Sequence, residues 1–64
     1  MNLSIPDMNC GHCRASVTRA LTELDPQAKV AVDLTARTAQ VETTAPLPAV
    51  IAALDAVGFA ATPA

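Results

Sequence analysis

The stretch "AKVAVDLTARTAQVET", residues 28–43, decides the fold of this chain. Residues 28–34 alternate strictly, with Val30, Val32 and Leu34 on one side and Lys29, Ala31 and Asp33 on the other. A period of two between apolar and polar residues marks a strand with one buried face and one wet face. The run "TART" at 35–38 interrupts the pattern as a turn, although it lacks the Gly or Asn that would fix its type. The alternation resumes over 39–43, with Val41 inward and Gln40 and Glu42 outward. Two such strands form an antiparallel hairpin, and a hairpin cannot cover its own apolar face. The flanking sequence has to supply that cover.

Upstream, residues 12–24, "HCRASVTRALTEL", carry Cys13, Val17, Leu21 and Leu24 on one helical face, with Ala20 beside them. Arg14, Thr18, Arg19, Thr22 and Glu23 take the wetter side, and Arg19 and Glu23 are spaced to pair across one turn. Asp25-Pro26 stops this helix, because Pro26 restricts the residue before it and donates no backbone bond. Before it, Leu3 and Ile5 alternate with polar neighbours as a short strand over 2–5 that Pro6 ends, and residues 7–11 read as a loop. Downstream, "TAPLP" at 44–48 breaks the chain and a helix follows from about 48 to 57, with Pro48 in its first turn. That helix turns Val50, Ile51, Leu54 and Val57 toward the core and keeps Asp55 outside. Gly58 suits the left-handed position that closes a helix, and "FAAT" at 59–62 makes a last short strand. The resulting order, β-α-β-β-α-β, is the ferredoxin-like α+β arrangement: a four-stranded antiparallel sheet with two helices on one face and water on the other.

The 64 residues make one domain, expected to span 1–64, with one small core and no linker or low-complexity segment. A chain of this size buries only about 60% of its unfolded surface. The net charge is −2, the four basic residues are scattered, and the chain has one Phe and no Tyr or Trp. This argues against nucleic acid, which asks for clustered positive charge and stacking rings. No apolar run approaches the length of about 18 residues that a membrane span needs, so direct membrane insertion is not expected. The opening "MNLSIPDM" has neither a basic region nor a long apolar stretch, so it does not read as a secretory signal, and the expected compartment is cytoplasmic.

Both cysteines and the single histidine sit together in "MNCGHC", Met8 to Cys13. A disulfide between Cys10 and Cys13 would close too small a loop to staple the fold. In a reducing compartment such a pair is more often metal-binding or catalytic than structural. Cys10 falls in the loop after the first strand and Cys13 in the first turn of the first helix, where unpaired backbone N–H groups favour an anion. Such a place favours thiolates, Cys13 above all. Two exposed thiolates select Cu(I) or another soft or borderline ion. They are too few for a closed zinc site, which takes four ligands. An under-coordinated pair suits an ion that must be handed on, because an incoming thiolate can attack before the ion leaves. The tetrapeptide C-G-H-C also occurs at the active site of disulfide isomerases, but a thioredoxin-type enzyme needs a longer chain and a different arrangement of strands. Redox exchange stays open as the enzyme-class alternative, since any exposed thiol pair can oxidise.

The neighbours carry more than one role. His12 is a third ligand, a positive charge beside the thiolates, or a solvent-facing residue. Met8 is a thioether ligand or, more plainly, packing beneath the loop. Phe59, the only aromatic residue, buries area and can cover the loop from the side. Asp7 and Asn9 shape the loop or face solvent.

Together, "MNCGHC", the helix "CRASVTRAL", the hairpin "VAVDLTARTAQVE" and the closing "AALDAVGF" resemble the heavy-metal-associated domain family, and within it the small bacterial copper chaperones. The resemblance covers nearly the whole chain. It implies a non-enzymatic ferredoxin-like carrier that binds Cu(I) through Cys10 and Cys13 and passes it to the metal-binding region of a P1B-type copper-transporting ATPase. It also implies a buried Met8 and a loop residue at Phe59 near the metal. Bacterial chaperones often have Tyr at that position and pump domains often have Phe, so a soluble domain of such a pump is the alternative. A carrier of Hg(II), Zn(II) or Cd(II) is another. Asp7 stands where the family commonly has Gly. Arg14 and Arg19 lie beside the loop and can meet an acidic patch on a partner. A copper-bridged homodimer and glutathione as an extra ligand both fit an exposed two-sulfur site.

Overall fold

A computed structural model describes all residues from 1 to 64. It comprises β1 (Asn2–Ser4), α1 (Gly11–Leu24), β2 (Lys29–Asp33), β3 (Thr38–Glu42), α2 (Leu47–Ala56) and β4 (Thr62–Pro63). The four strands form one sheet in the order β2-β3-β1-β4, every neighbouring pair antiparallel. The expected ferredoxin-like α+β fold is therefore present, with both helices on one face of the sheet.

The hairpin is registered as its alternation demands, Val30 opposite Val41 and Val32 opposite Ala39. The inward positions of the sheet and the inward stripes of both helices meet in one core: Leu3, Ile5, Val41, Ala39 and Ala61 with Val17, Ala20 and Leu21 of α1 and Val50 and Leu54 of α2. The outward residues Lys29, Ala31, Asp33, Gln40 and Glu42 are exposed. β2 is an edge strand, so its inward Val30 and Val32 are only half-buried.

Three expectations are corrected. Leu24 and Val57, placed on inward faces by periodicity, are exposed, at 38% and 46%. Leu24 is the last residue of α1, and Val57 already has the non-helical backbone of a cap (φ −103°, ψ 12°), so neither continues its helix's inward stripe. The last strand is Thr62–Pro63 and not 59–62. The reason is the closure of α2: Gly58 adopts φ +90°, its N–H donates to the Asp55 carbonyl at 3.0 Å, and the Phe59 N–H reaches back to the Leu54 carbonyl at 2.9 Å. This Schellman closure commits residues 58 and 59 to satisfying helix carbonyls, so the sheet begins later.

The end of the sheet that carries the first loop is laced together. The Ile5 N–H donates to the Arg37 carbonyl at 2.8 Å, and Arg37 Nη1 donates to the Pro6 carbonyl at 3.2 Å. Arg37 sits at φ +57°, a left-handed position taken here without Gly or Asn. The missing turn signal in "TART" is thus answered by long-range bonding. Asp33 contributes as well, its Oδ1 accepting from the Thr35 and Ala36 N–H groups at 3.0 and 3.1 Å.

Candidate metal centre

The chain leaves β1 through Pro6 and Asp7 and drops Met8 into the core, where its N–H donates to the Ile5 carbonyl at 3.0 Å. Met8 is fully buried, as the packing alternative expected. With that side chain anchored, Asn9 and Cys10 are carried on the surface directly before the helix. Cys10 is the N-cap of α1, with extended backbone (φ −151°, ψ 170°), and its carbonyl accepts the first helical bond from Arg14 at 3.1 Å. Its side chain does not cap the helix, and no acidic residue occupies the first turn. The first-turn N–H groups of α1 therefore keep their positive end toward the loop.

The two thiols are free and close: Cys10 Sγ lies 3.0 Å from Cys13 Sγ. Cys10 is exposed and Cys13 half-buried, packed against the core on its inner side. Cys13 Sγ also lies 3.8 Å from Asn9 Oδ1. The Cys13 thiol is held below its ordinary range, first by hydrogen bonding from the Cys10 thiol and then by the backbone N–H of Asn9; desolvation opposes this, and the backbone N–H groups of Cys10 and Cys13 add less. The neighbouring sulfur is the largest influence; the N–H groups that assist it belong chiefly to the loop residue Asn9 and the N-cap Cys10, and the first turn of the helix contributes least, through Cys13 itself. Asn9 is the participant whose part the sequence left open: it sits one residue before Cys10 and helps to hold Cys13.

The other nominated residues separate clearly. His12 is exposed, and no group of three or more His, Cys, Asp or Glu side chains is placed to share an ion. His12 therefore does not join the cysteines as a third ligand in this conformation. Phe59 is half-buried against the core. Asp7 is exposed, Arg14 is exposed and unpaired, and Arg19 is bridged to Glu23 at 3.2 Å on the outer helix face. Neither cysteine lines any of the four surface grooves. The sulfurs sit on the loop and the first helical turn outside those grooves, Cys10 exposed and Cys13 half-buried.

Comparison with known proteins agrees with this geometry. The heavy-metal-associated domain matches residues 2–60, and the chain belongs to that family. Among solved structures it is similar to a gold-binding protein, at 36% identity and TM-score 0.93, with 95% of this chain and 94% of the other covered. It is also similar to the copper chaperone Atx1 from Synechocystis PCC6803, at 27% identity and TM-score 0.95, covering 97% and 98% of the two chains. Oxidized MerP from Ralstonia metallidurans CH34, at 23% identity and TM-score 0.82 over 95% and 89%, shares the fold. No curated protein sequence matches the chain.

Proposed function

We propose that this protein is a copper chaperone: it takes up one Cu(I) between Cys10 and Cys13 and surrenders it by thiolate exchange to the metal-binding region of a P1B-type copper-transporting ATPase. The observation that carries the proposal is the pair of free sulfurs 3.0 Å apart at an exposed helix start, with no His, Asp, Glu or further Cys side chain placed to share an ion with them. The similarity to Atx1 supports it.

The geometry explains why such a site carries rather than stores. With metal–thiolate bonds of about 2.3 Å, a linear two-sulfur complex sets its sulfurs roughly 4.6 Å apart. The sulfurs here must therefore spread by somewhat more than an ångström, and exposed Cys10 is free to move while half-buried Cys13 stays seated. Two thiolates satisfy Cu(I), leave Zn(II) short of its four ligands, and leave one side of the ion open. A partner's thiolate enters on that side, a three-sulfur intermediate forms, and one of the original sulfurs departs. The ion is never released to water, and the protein converts nothing covalently. Exposed Arg14, one residue beyond Cys13, gives an acidic partner surface a point of approach. Phe59 screens the loop from the core side, and His12 tunes the site by its charge. A copper-bridged homodimer and a bound glutathione are two ways to fill the open side when no pump is present. All of this chemistry suits the cytoplasm, where thiols stay reduced.

The similarity to a gold-binding protein favours a second reading, in which Au(I), soft and linear like Cu(I), is the cargo. One experiment serves both. The protein is titrated under reducing conditions against a Cu(I) chelator of known affinity, then challenged with Au(I). Binding of one Cu(I) per chain, lost in Cys10→Ser and in Cys13→Ser with the fold intact, is expected. Cu(I) binding that survives either substitution overturns the site. Displacement of Cu(I) by an equivalent of Au(I), with no Cu(I) transfer to an isolated ATPase domain, moves the assignment to gold.

A further inference from the structure

We infer that two copies of this chain associate through the free edge of β2, antiparallel about Ala31, to form one continuous eight-stranded sheet with the cysteine loops at opposite ends. The inference stands apart from the cargo assigned above and needs no metal.

The sheet has two edges, β2 and β4, and they differ in kind. β4 is two residues long and includes Pro63, which has no N–H to offer, so that edge is blunted. β2 has five residues and neither Pro nor Gly. The direction of its unpaired groups follows from β3. Val41 donates its N–H to the Met1 carbonyl at 2.8 Å and accepts from the Met1 ammonium at 2.7 Å, so both of its backbone groups point away from β2. In an antiparallel ladder this direction alternates along the strand. Thr38, Gln40 and Glu42 therefore bond toward β2, using the groups of their partners Asp33, Ala31 and Lys29. Val30 and Val32 are left with their N–H and C=O groups aimed out of the edge.

A twofold axis through Ala31 uses these four groups completely. Val30 of one copy then lies opposite Val32 of the other, and each such pair exchanges two backbone hydrogen bonds. The same axis sets Ala31 against Ala31, where small side chains leave the close approach of a non-hydrogen-bonded pair free. It sets Lys29 against Asp33, once on each side. Neither residue has an ion-pair partner within its own chain, and the Asp33 hydrogen bonds to the turn use only Oδ1, leaving Oδ2 for a lysine. The strand "KVAVD" is thus self-complementary in charge, size and backbone pattern when it meets itself reversed. On the helix side, Val30 and Val32 line an open groove with Ala15, Thr18 and Thr22 of α1, so their partly exposed methyl groups gain cover from the second copy. Arg19 in that groove is already paired with Glu23.

The β2–β3 turn is bonded to residues 5 and 6, so the cysteine loop lies at the Asp33 end of β2. Antiparallel pairing places the partner's loop at the other end. Both sulfur pairs stay accessible, unlike those of a metal-bridged dimer.

The test uses the metal-free, reduced chain at millimolar concentration with a chelator present. Sedimentation equilibrium should give a species of twice the 6.5 kDa monomer mass, unchanged in Cys10→Ser. Ala31 is exposed, so Ala31→Lys and Ala31→Glu should each fold as wild type by circular dichroism. Each places like charges face to face at the axis and should be monomeric, at least tenfold weaker in self-association, while their equimolar mixture should dimerise again. Amide exchange at Val30 and Val32 should slow as concentration rises, with Ala31 unchanged. A wild-type chain that stays monomeric, single variants that dimerise as well as wild type, or a mixture that stays monomeric overturns the inference.

Discussion

Met8 separates packing from ligation, the two roles open to a methionine two residues before a cysteine proposed to bind metal. Its side chain has no exposed surface and lies in the cluster that joins both helices to the sheet. Met8→Ala removes most of that side chain and leaves a hole that the surrounding Leu, Ile and Val side chains fill only in part. Truncations of this kind cost about 2–5 kcal/mol. For 64 residues the total stability is about 3–10 kcal/mol at ordinary per-residue values. A loss of about 3 kcal/mol is thus a third of the total or more, and lowers Tm by roughly 12–24 °C in a domain of this size. Met8→Leu nearly conserves volume and should cost less than about 1.5 kcal/mol. The decisive assay joins thermal unfolding of both variants to Cu(I) competition on Met8→Leu. Packing alone predicts a large Tm drop for the alanine variant, a small one for the leucine variant, and wild-type copper affinity for the latter. A folded Met8→Leu that binds Cu(I) ten times more weakly would make the sulfur a ligand and refute the packing account.

Three further outcomes are expected. Because the Cys13 thiol is held low by Cys10 and by backbone N–H groups, its rate of alkylation should reach its plateau at a lower pH than a free thiol's, and Cys10→Ala should return the curve toward the ordinary one. A depressed thiol pKa stabilises the fold above the unfolded value of 9.0, and this contribution fades as pH falls through the folded value, so urea unfolding in Cys10→Ala should depend less on pH in that window. The Asp25 carboxyl is likewise held below its ordinary 3.8, first by the Thr43 hydroxyl at 2.6 Å and then by the Gln27 N–H, so Thr43→Val should raise its titration by NMR and destabilise the protein at neutral pH. That destabilisation should vanish as pH falls through the folded value, where the carboxyl is protonated in both states. Gly58→Ala meets no neighbouring atom, so its whole cost is the left-handed backbone at φ +90°, about 1–2 kcal/mol by chemical denaturation.

The fold was largely legible because period-two alternation survives in the hairpin and each core position carries an aliphatic residue, as at Leu3, Val17, Val41 and Leu54. What failed lay at helix ends. Periodicity extrapolates a stripe without knowing where the helix stops, hence the misplacement of Leu24 and Val57, and it does not see that Phe59 will spend its N–H on the Leu54 carbonyl. The cysteines declared themselves by residue type and by position before a helix. Their mutual distance, the hold of Asn9 on Cys13, and the outward fate of His12 depend on where Met8 anchors the loop, a long-range matter that spacing does not encode. The Arg37 strap is of the same kind, joining residues 31 apart in sequence.

That strap governs how the cysteine loop can respond to cargo. Upstream it is pinned through Ile5 and Pro6 to the hairpin tip, and at Met8 it is moored in the interior; downstream it is already helix. Between these anchors Asn9 and Cys10 are exposed, so under the proposed function the loading of an ion would fall on this one corner of the molecule. Under the proposed hand-over, a pump domain would therefore meet nearly the same contour on a full carrier as on an empty one. The direction of delivery must then come from the relative grip of the two sulfur pairs, not from a change of shape that announces the load.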